Sequence, residues 1–462
     1  NRGLGLVFVF LSGYLLGPSK FGVLAIGLTT VALCQNVAAF GLPVTVQRLL
    51  SGKGEGNTEQ LLGSIFLLGV SSAIISGAAL FFFAPFLASK LFDQAWLIPS
   101  LRVLSVSLTC EVLYNLFRSI LQSQEKTQWI IATSAVLQVS KICLLLIVCF
   151  LACNPVSAAG SVVAGFILAL IAEFWFFKKL GYSPEFSNIW ATVKRIAGYS
   201  VPMIFIGSSY ILIQQTDRLM LGLLSDAADV GIYTILSSLA LILSVLHSSM
   251  VSIFMPVASE AYRKGNQVDL QKAFVFVSKW VGLGNGILLL IFAGFGNLLI
   301  HTIGPAYSGE ISTYTLMILA AGYFWGTWVG PTGALLLMSE GHYYELLNSA
   351  LFIGTNITLN LLLIPKLGII GAALATATSV FLINICQLIE ILYKYKFFPF
   401  YRHSVVLFLL VISGVLSCLG TMNIWLLTQA ASIIFILILV LYTYFTLNEE
   451  EKSLLIPIFK KI

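Results

Sequence analysis

Long apolar segments recur from one end of this chain to the other. Each is about 20 residues long or longer, which is the length that an α-helix needs to cross the hydrocarbon core of a bilayer. Only 10% of the 462 residues are charged, 58% are hydrophobic, and the mean hydropathy is +0.97. Soluble domains carry roughly 25% charged residues. We therefore predict an all-α polytopic membrane protein that contains no soluble domain.

Charged residues and turn residues divide the apolar sequence into about fourteen candidate transmembrane helices. The predicted spans are 1–16, 22–48, 61–88, 97–121, 127–152, 156–178, 196–222, 230–259, 273–300, 311–338, 343–364, 368–393, 402–421 and 424–446. The connections are short, so none could hold a globular catalytic domain, and we predict a protein that is not an enzyme. The chain begins inside an apolar run without a Met, and we expect further residues upstream.

Lys and Arg are distributed unevenly between the two sets of alternate loops. One set, together with the C-terminal tail, holds seventeen, whereas the other holds only Lys20, Lys90 and Lys366. Cytoplasmic loops carry the excess of positive charge, so we predict a cell-membrane protein with both termini in the cytoplasm. This asymmetry also accounts for the net charge of +6, which is therefore no indication of nucleic-acid binding.

The sequence contains an internal repeat. The segment SQEKTQWI (123–130) resembles SEGHYYEL (339–346) at an offset of about 215 residues, and the helices that follow are also alike. Parallel repeats are typical of transporters that rock two lobes around a central site. We predict one six-helix lobe in residues 1–180, a cytoplasmic linker in 181–195, a second six-helix lobe in 196–394, and two extra helices with a cytoplasmic tail in 395–462.

Three segments carry a family resemblance. YLLGPSKFGVLAIG, QQTDRLMLGLLSDAADVGIYTI and LLLIPKLGIIGAALATATS resemble the polysaccharide-biosynthesis flippases, which include the O-antigen and exopolysaccharide repeat-unit flippases. These belong to the superfamily that also holds multidrug and toxin extrusion antiporters and lipid II flippases. The resemblance implies two six-helix lobes around a central cavity, often with two extra C-terminal helices. Members often carry Arg where this chain has Tyr14, so the cation that meets a pyrophosphate is left open.

Charged residues inside the predicted helices are candidates for function. A charge at the bilayer centre costs roughly 2.5–3.5 kcal/mol on insertion scales. The candidates are Arg102, Glu111, Lys141, Glu173, Asp217, Arg218 and Lys279.

The fourth and fifth predicted helices each carry a polar stripe. The first stripe consists of Ser107, Glu111, Asn115, Arg118 and Gln122, and the second of Ser134, Gln138 and Lys141. The two helices run in opposite directions, so Glu111 and Lys141 fall at a similar depth. We expect them to face each other or a shared aqueous cavity, or else to form an ion pair that only fixes the packing of the helices.

Asp217 and Arg218 follow a run that is uncharged from Ile196 onward. A helix that begins at Ile196 would place Asp217 about 31 Å along its axis, close to the outer interface. The pair could then anchor the helix there, with Arg218 extending its charge to the surface, or close an outer gate as a salt bridge. Alternatively, the face that includes Gln214 and Asp217 lines the cavity, and Asp217 binds a coupling cation or proton.

The second predicted lobe offers further cavity residues. Asn348, Asn356 and Asn360 fall within a narrow arc of one helix, Trp325 and Trp328 could stack on sugar rings, and Lys279 is an available cation. The seven cysteines lie in apolar segments without a CxxC pair. We therefore expect neither a metal site nor a cofactor.

The resemblance implies that the protein moves a polyprenyl-pyrophosphate-linked oligosaccharide from the cytoplasmic to the outer leaflet by alternating access. No GxxxxGK[ST] loop is present, so the energy would come from an H⁺ or Na⁺ gradient or from consumption of the product. A glycan polymerase or glycosyltransferases are candidate partners beside the lipid bilayer. The alternatives are a cation-coupled multidrug antiporter, a lipid II flippase or, less favoured by the short external loops, a membrane glycosyltransferase or polymerase.

Overall fold

The computed structural model describes residues 2–51, 58–94, 96–185, 189–338, 342–396, 400, 402–421 and 424–446. Within these ranges the regular structure is helical. The α-helices are α1 Arg2–Ala38, α2 Leu42–Ser51, α3 Thr58–Phe86, α4 Leu97–Ser123, α5 Thr127–Leu151, α6 Pro155–Lys179, α7 Ile189–Leu224, α8 Ala227–Ala240, α9 Ile242–Arg263, α10 Gln267–Ile303, α11 Glu310–Trp328, α12 Thr332–Met338, α13 His342–Leu367, α14 Ile369–Tyr395, α15 Arg402–Gly420 and α16 Trp425–Phe445.

The all-α membrane architecture predicted from the sequence is confirmed. In the described part of the chain, eleven helices are long and apolar enough to cross a membrane. The predicted spans correspond in order to the observed helices, although three of them are interrupted. The span 22–48 is divided between α1 and α2, 230–259 between α8 and α9, and 311–338 between α11 and α12.

Helix α1 is a hairpin of two helical arms. Gly17 has φ 72° and ψ 168°, which is not helical, and Pro18 follows it. Phe8 and Thr29, one from each arm, line the same cavity of about 90 Å³. A straight helix would hold these two residues about 31 Å apart, so the chain reverses at Gly17. The hairpin contains the first predicted helix and most of the second.

The turn after α1 separates it from α2. Phe40 and Gly41 have φ of 52° and 63°, in the left-handed region that ends helices. Pro43 then lies in the first turn of α2. Backbone N–H groups of the first turn have no acceptor within the helix, so a proline there costs no hydrogen bond. The prediction of one continuous helix from 22 to 48 was wrong at this turn. Apolar residues continue through the turn, so the hydrophobic pattern of the sequence does not reveal it.

The chain divides into two compact units. The first contains Asn1–Ser238, Ile303–Tyr307 and Ile353–Ala372, and the second contains Leu239–Thr302, Ser308–Phe352 and Ala373–Ile462. The core of the first unit includes Leu42, Leu62, Phe117 and Phe177, and the core of the second includes Phe254, Phe274, Leu335 and Ile391. The lobe boundaries from the repeat stay a prediction, although α7 already begins at Ile189, inside the predicted linker.

Candidate functional site

Asp217 lies at the centre of a hydrogen-bonded cluster in the first unit. The Tyr233 hydroxyl of α8 donates to Oδ2 of Asp217 over 2.7 Å. The amide nitrogens of Asn356 and Asn360, both on α13, donate to Oδ1 over 3.0 Å each. Three helices thus converge on one carboxylate, which the neighbouring groups hold in a fixed position.

The partners of Asp217 are removed from solvent. Tyr233, Asn356 and Asn360 are 1%, 1% and 0% exposed. Asn360 also donates to Oδ1 of Asn356 over 3.0 Å, while its own Oδ1 is buried without a hydrogen-bond partner. Residues four apart share one helix face, which explains why both amides reach the same carboxylate.

These three donors to Asp217 are all uncharged side chains. The cluster combines one carboxylate with two amides and a phenol, and its role in ion coupling stays a prediction. Among the described residues, no group of three or more His, Cys, Asp and Glu side chains is placed so that it could hold a metal ion.

Arg218 faces a different part of the first unit. Its guanidinium donates to Oγ of Ser237 over 3.2 Å and to Oε1 of Gln215 over 3.5 Å. It lines the small cavity inside the α1 hairpin, together with Thr29 and Phe8. Successive residues on a helix point about 100° apart, so Asp217 and Arg218 contact different neighbours. The gate and anchor interpretations of this pair stay predictions.

The C-terminal half of the α4 stripe lines a polar pocket of about 390 Å³. Asn115, Arg118 and Gln122 contribute from α4, and further lining comes from the end of α1 and from α2. The amide of Gln47 on α2 donates to Gln122 over 3.0 Å. Three of the five stripe residues therefore line one pocket, while Ser107 and Glu111 do not belong to its lining.

Arg118 is held in this pocket by neutral hydroxyls. Its Nη1 donates to Tyr114 Oη and to Ser134 Oγ, each over 2.9 Å. Behind it, Thr133 donates to Oε1 of Glu173 over 3.1 Å. Glu173 is 0% exposed, and its Oε2 is buried without a hydrogen-bond partner. Arg118 also interacts electrostatically with Glu173. The same cation therefore lines the pocket and lies near a buried acid.

Glu111 and Lys141 lie close enough to influence each other electrostatically, and their facing each other stays a prediction. Their charges attract each other, and the Lys141 ammonium lies 4.0 Å from the ring centroid of Phe166. Gly165 makes room for the lysine, because a Cβ there would lie 2.5 Å from Lys141 Cγ. Their role in a substrate cavity stays a prediction.

Two other predicted cavity residues of the first unit lie elsewhere. The Arg102 guanidinium lies 5.3 Å from the centroid of the Phe81 ring. Nine residues separate Arg102 from Glu111, which corresponds to opposite faces of a helix at about 100° per residue. Gln214 is exposed on α7. The cavity assignments of both residues therefore remain predictions.

The predicted residues of the second unit take part in packing. Trp325 packs at tilted and edge-on angles against other aromatic rings, with its centroid 4.8 Å from that of Phe381, and its indole N–H is buried without a partner. The Lys279 ammonium lies 5.8 Å from the Trp280 ring. Asn348 donates to Glu390 over 2.9 Å, unlike the two asparagines further along α13. Sugar stacking by Trp325 stays a prediction.

Sequence reasoning assigned no role to three residues that the structure places in these clusters. Tyr233 belongs to the GIY segment, which was quoted only for its resemblance. Arg118 was named only as a member of the α4 stripe, and Glu173 was a charged candidate for function without a partner or a specific role. The polar stripe of α4 could have identified Arg118 as a pocket residue. The position of Glu173 inside an apolar helix could likewise have identified this acid as a functional candidate.

Comparison with known sequences supports the family resemblance. Residues 1–262 match the family model described as polysaccharide biosynthesis protein. The capsular polysaccharide biosynthesis protein CapF of Staphylococcus aureus is 24% identical over 239 residues, which cover 50% of this chain and 57% of CapF. The uncharacterized membrane protein MJ1375 of Methanocaldococcus jannaschii is 24% identical over 432 residues, which cover 85% of this chain and 95% of MJ1375.

Solved transporter structures share the fold. The lipid II flippase MurJ in an inward closed conformation has a TM-score of 0.74 at 16% identity, covering 96% of both chains. An inward-facing multidrug resistance MATE family transporter of the MOP superfamily has a TM-score of 0.68 at 15% identity, covering 86% of this chain and 95% of its own. The family model matches more than half of the chain, and the protein therefore belongs to the polysaccharide biosynthesis protein family, with the fold of the MurJ and MATE transporters.

Proposed function

We propose that this protein flips a polyprenyl-pyrophosphate-linked oligosaccharide, the repeat unit of a cell-surface polysaccharide, from the cytoplasmic to the outer leaflet. Its family membership and its fold are those of transporters. The observation that carries the proposal is the polar pocket of α1, α2 and α4, with Arg118 among amide side chains. Such a pocket offers a charged and hydroxylated head group an alternative to the hydrocarbon of the bilayer.

The chemistry of the pocket fits such a head group. The Arg118 guanidinium can donate to phosphate oxygens with charge-assisted hydrogen bonds. The side-chain amides of Asn115 and Gln122 both donate and accept, which suits sugar hydroxyls. In the proposed cycle the head group crosses through the protein by alternating access while the polyprenyl tail remains in the bilayer.

The Asp217 cluster is the proposed coupling site. Binding of H⁺ or Na⁺ would neutralise a carboxylate that is otherwise costly inside a membrane, and the partnerless Oδ1 of Asn360 would gain a partner. Titration of the purified protein with NaCl against choline chloride, followed by intrinsic fluorescence, tests this. A saturable Na⁺ response that Asp217→Asn abolishes supports Na⁺. A response to pH alone supports H⁺, and no response to either contradicts coupling at this cluster.

The proposed partners are enzymes that act before and after transfer. Glycosyltransferases would complete the lipid-linked unit on the cytoplasmic side, and a polymerase would consume it on the outer side. This direction requires the cell membrane and the topology predicted from Lys and Arg, with both termini cytoplasmic. Reporter fusions at both ends, active only in the cytoplasm, provide the check on topology.

The decisive experiment is lipid extraction from cells that lack this gene, with mass spectrometry of polyprenyl-linked glycans and an assay of the leaflet they occupy. Accumulation of one completed repeat unit on the cytoplasmic leaflet is the expected result and identifies the cargo. Accumulation of the lipid-linked cell-wall precursor would instead indicate a lipid II flippase. An unchanged lipid profile with increased sensitivity to cationic drugs would contradict the proposal and favour a multidrug antiporter.

A further inference from the structure

Two cysteines meet at the turn between α5 and α6. Cys149 lies in the last turn of α5, and Cys153 lies between the end of that helix at Leu151 and the start of α6 at Pro155. Both are free cysteines, and both are half-buried. Their side chains hydrogen-bond to each other, so the two sulfur atoms are neighbours within the first unit.

Cys153 also ties this turn to the tip of the α1 hairpin. Its Sγ donates to the Leu15 carbonyl oxygen over 3.1 Å. A thiol has one hydrogen, so the hydrogen bond between the two thiols is donated by Cys149. The Lys20 ammonium in turn donates to the Cys153 carbonyl oxygen over 3.1 Å. Leu15 and Lys20 lie on either side of Gly17, where α1 reverses.

The turn lies on the side of the membrane that is predicted to face away from the cytoplasm. Lys20 belongs to the set of loops that is poor in Lys and Arg, and its ammonium contacts the Cys153 carbonyl. Loops of this set are extracytoplasmic by the distribution of positive charge. Disulfides form and persist in that environment. Cys153 lies outside both helices and is not fully buried, so an oxidant on that side can reach it.

We propose that Cys149 and Cys153 are a modification site, a dithiol that an extracytoplasmic disulfide oxidant converts into an intramolecular disulfide. The proposal goes beyond the transport of any cargo, and it rests on the predicted topology. The Cys153 thiolate attacks the oxidant's disulfide, forms a mixed disulfide and releases one thiol. The Cys149 thiolate then attacks the Cys153 sulfur and releases the second thiol. The protein gives up two hydrogens, and the oxidant's disulfide becomes two thiols.

Oxidation changes how the α1 hairpin is held. A disulfide sulfur carries no hydrogen, so the bond that Cys153 donates to the Leu15 carbonyl oxygen is lost. The bond from Lys20 to the Cys153 carbonyl oxygen does not involve the thiol and remains. The oxidised protein therefore has a turn that is joined covalently to the end of α5 and a hairpin tip that is held less firmly beside Gly17.

Differential thiol labelling of the full-length protein in nanodiscs tests the site. The protein is treated with oxidised glutathione, the remaining thiols are blocked with N-ethylmaleimide, and the disulfides are then reduced and labelled with iodoacetamide. We expect a peptide in which Cys149 and Cys153 form a disulfide without a glutathione adduct. Its yield should exceed the modification of Cys143, an exposed cysteine of the same helix, at least about tenfold.

Single substitutions separate this disulfide from ordinary thiol modification. In Cys149→Ser, glutathione should remain on Cys153 as a stable mixed disulfide, because the thiol that would displace it is missing. Cys143→Ser should form the disulfide as the parent does. The same labelling in intact cells, quenched with acid before lysis, should find the pair oxidised during normal growth and reduced after growth with dithiothreitol.

Hydrogen exchange of residues 14–20 measures the effect on the hairpin. Oxidation of the parent should raise deuterium uptake there at least about twofold, and dithiothreitol should reverse the change. Cys153→Ala should show the raised uptake without an oxidant, because it lacks the thiol that binds Leu15. Cys149→Ser keeps that thiol and should show low uptake before oxidation.

Three results would overturn the proposal or a part of it. If Cys143 is modified as readily as the pair and no intramolecular disulfide forms, the two thiols are not a disulfide site. If the purified protein forms the disulfide but the pair stays reduced in growing cells, no extracytoplasmic oxidant acts on it. If oxidation leaves the exchange of residues 14–20 unchanged, the disulfide has no influence on the α1 hairpin.

Discussion

Gly22 of α1 packs directly against the backbone of α8, and Gly22→Ala should destabilise the protein. A Cβ at Gly22 would lie 1.6 Å from the Ala227 carbonyl oxygen and 3.1 Å from the Gly231 nitrogen. Both are backbone atoms, so no side-chain rotation can relieve the clash. Ordinary contact begins near 3.4 Å, so the two backbones would have to separate by about 1.8 Å. Overpacking of this kind costs about 1–3 kcal/mol or more.

The matched control is Gly160→Ala in α6, where nothing lies within 4 Å of the added Cβ. Alanine is favoured over glycine inside a helix by about 1 kcal/mol, so this variant should be slightly more stable than the parent. SDS-induced unfolding in mixed micelles measures both free energies. Gly22→Ala should unfold at a lower SDS fraction than the parent. Equal or greater stability of Gly22→Ala would refute the packing argument.

Three further substitutions test the polar clusters. Asp217→Asn should lower leaflet-resolved glycan-lipid transport at least about tenfold, because an amide cannot carry the charge that a coupling cation balances. Thr133→Val should lower the free energy of unfolding by about 1–3 kcal/mol, because the buried Glu173 carboxylate loses its donor. Glu111→Gln combined with Lys141→Met should show a coupling free energy of about 0.5–3 kcal/mol in a double-mutant cycle, since their charges attract.

Each of these predictions has a control and a contradicting result. Asp226→Asn removes an exposed carboxylate and should transport normally, so equal loss in both variants would argue against a specific role for Asp217. Thr302→Val removes an exposed hydroxyl that donates only within its own helix and should cost less than Thr133→Val. A coupling free energy of zero for Glu111 and Lys141 would mean that water screens the two charges.

Helix ends were predictable where local signals are strong. The span predicted as 127–152 is observed as Thr127–Leu151, and the next helix starts at Pro155 with a capping box on Asn154. Both ends follow from local chemistry: an N-cap side chain, a proline in the first turn, and polar residues at the boundary.

The breaks within apolar segments were not predictable in the same way. Phe40 has a left-handed conformation, which a bulky residue adopts only where tertiary packing compensates for its cost. Nothing in the alternation of residues signals such a position. The break between α11 and α12 occurs at Gly330, which has φ 101° and is followed by Pro331. This Gly-Pro pair is a visible turn signal, but the apolar residues on both sides of it still favoured one continuous helix.

The candidate sites show the same division between local and long-range information. The spacing of Asn356 and Asn360 placed both on one face, and the stripe of α4 predicted a polar surface. Their partners could not be read from spacing, since Asp217 is 139 residues from Asn356 along the chain. Arg118 was ambiguous for another reason. It lies near the predicted cytoplasmic end of α4, and only the tertiary structure distinguishes a pocket residue from a loop charge.

The hairpin of α1 has a consequence for how the chain is made. Its arms are joined at Gly17 by a backbone conformation, φ 72° and ψ 168°, that is essentially restricted to glycine. The turn between the arms is short and its polar residues are Ser19 and Lys20, so little polar chain has to cross the membrane between the arms. The two arms should therefore leave the ribosome and enter the bilayer as a single folded pair. Gly17 would then be required during biosynthesis, before any substrate is met.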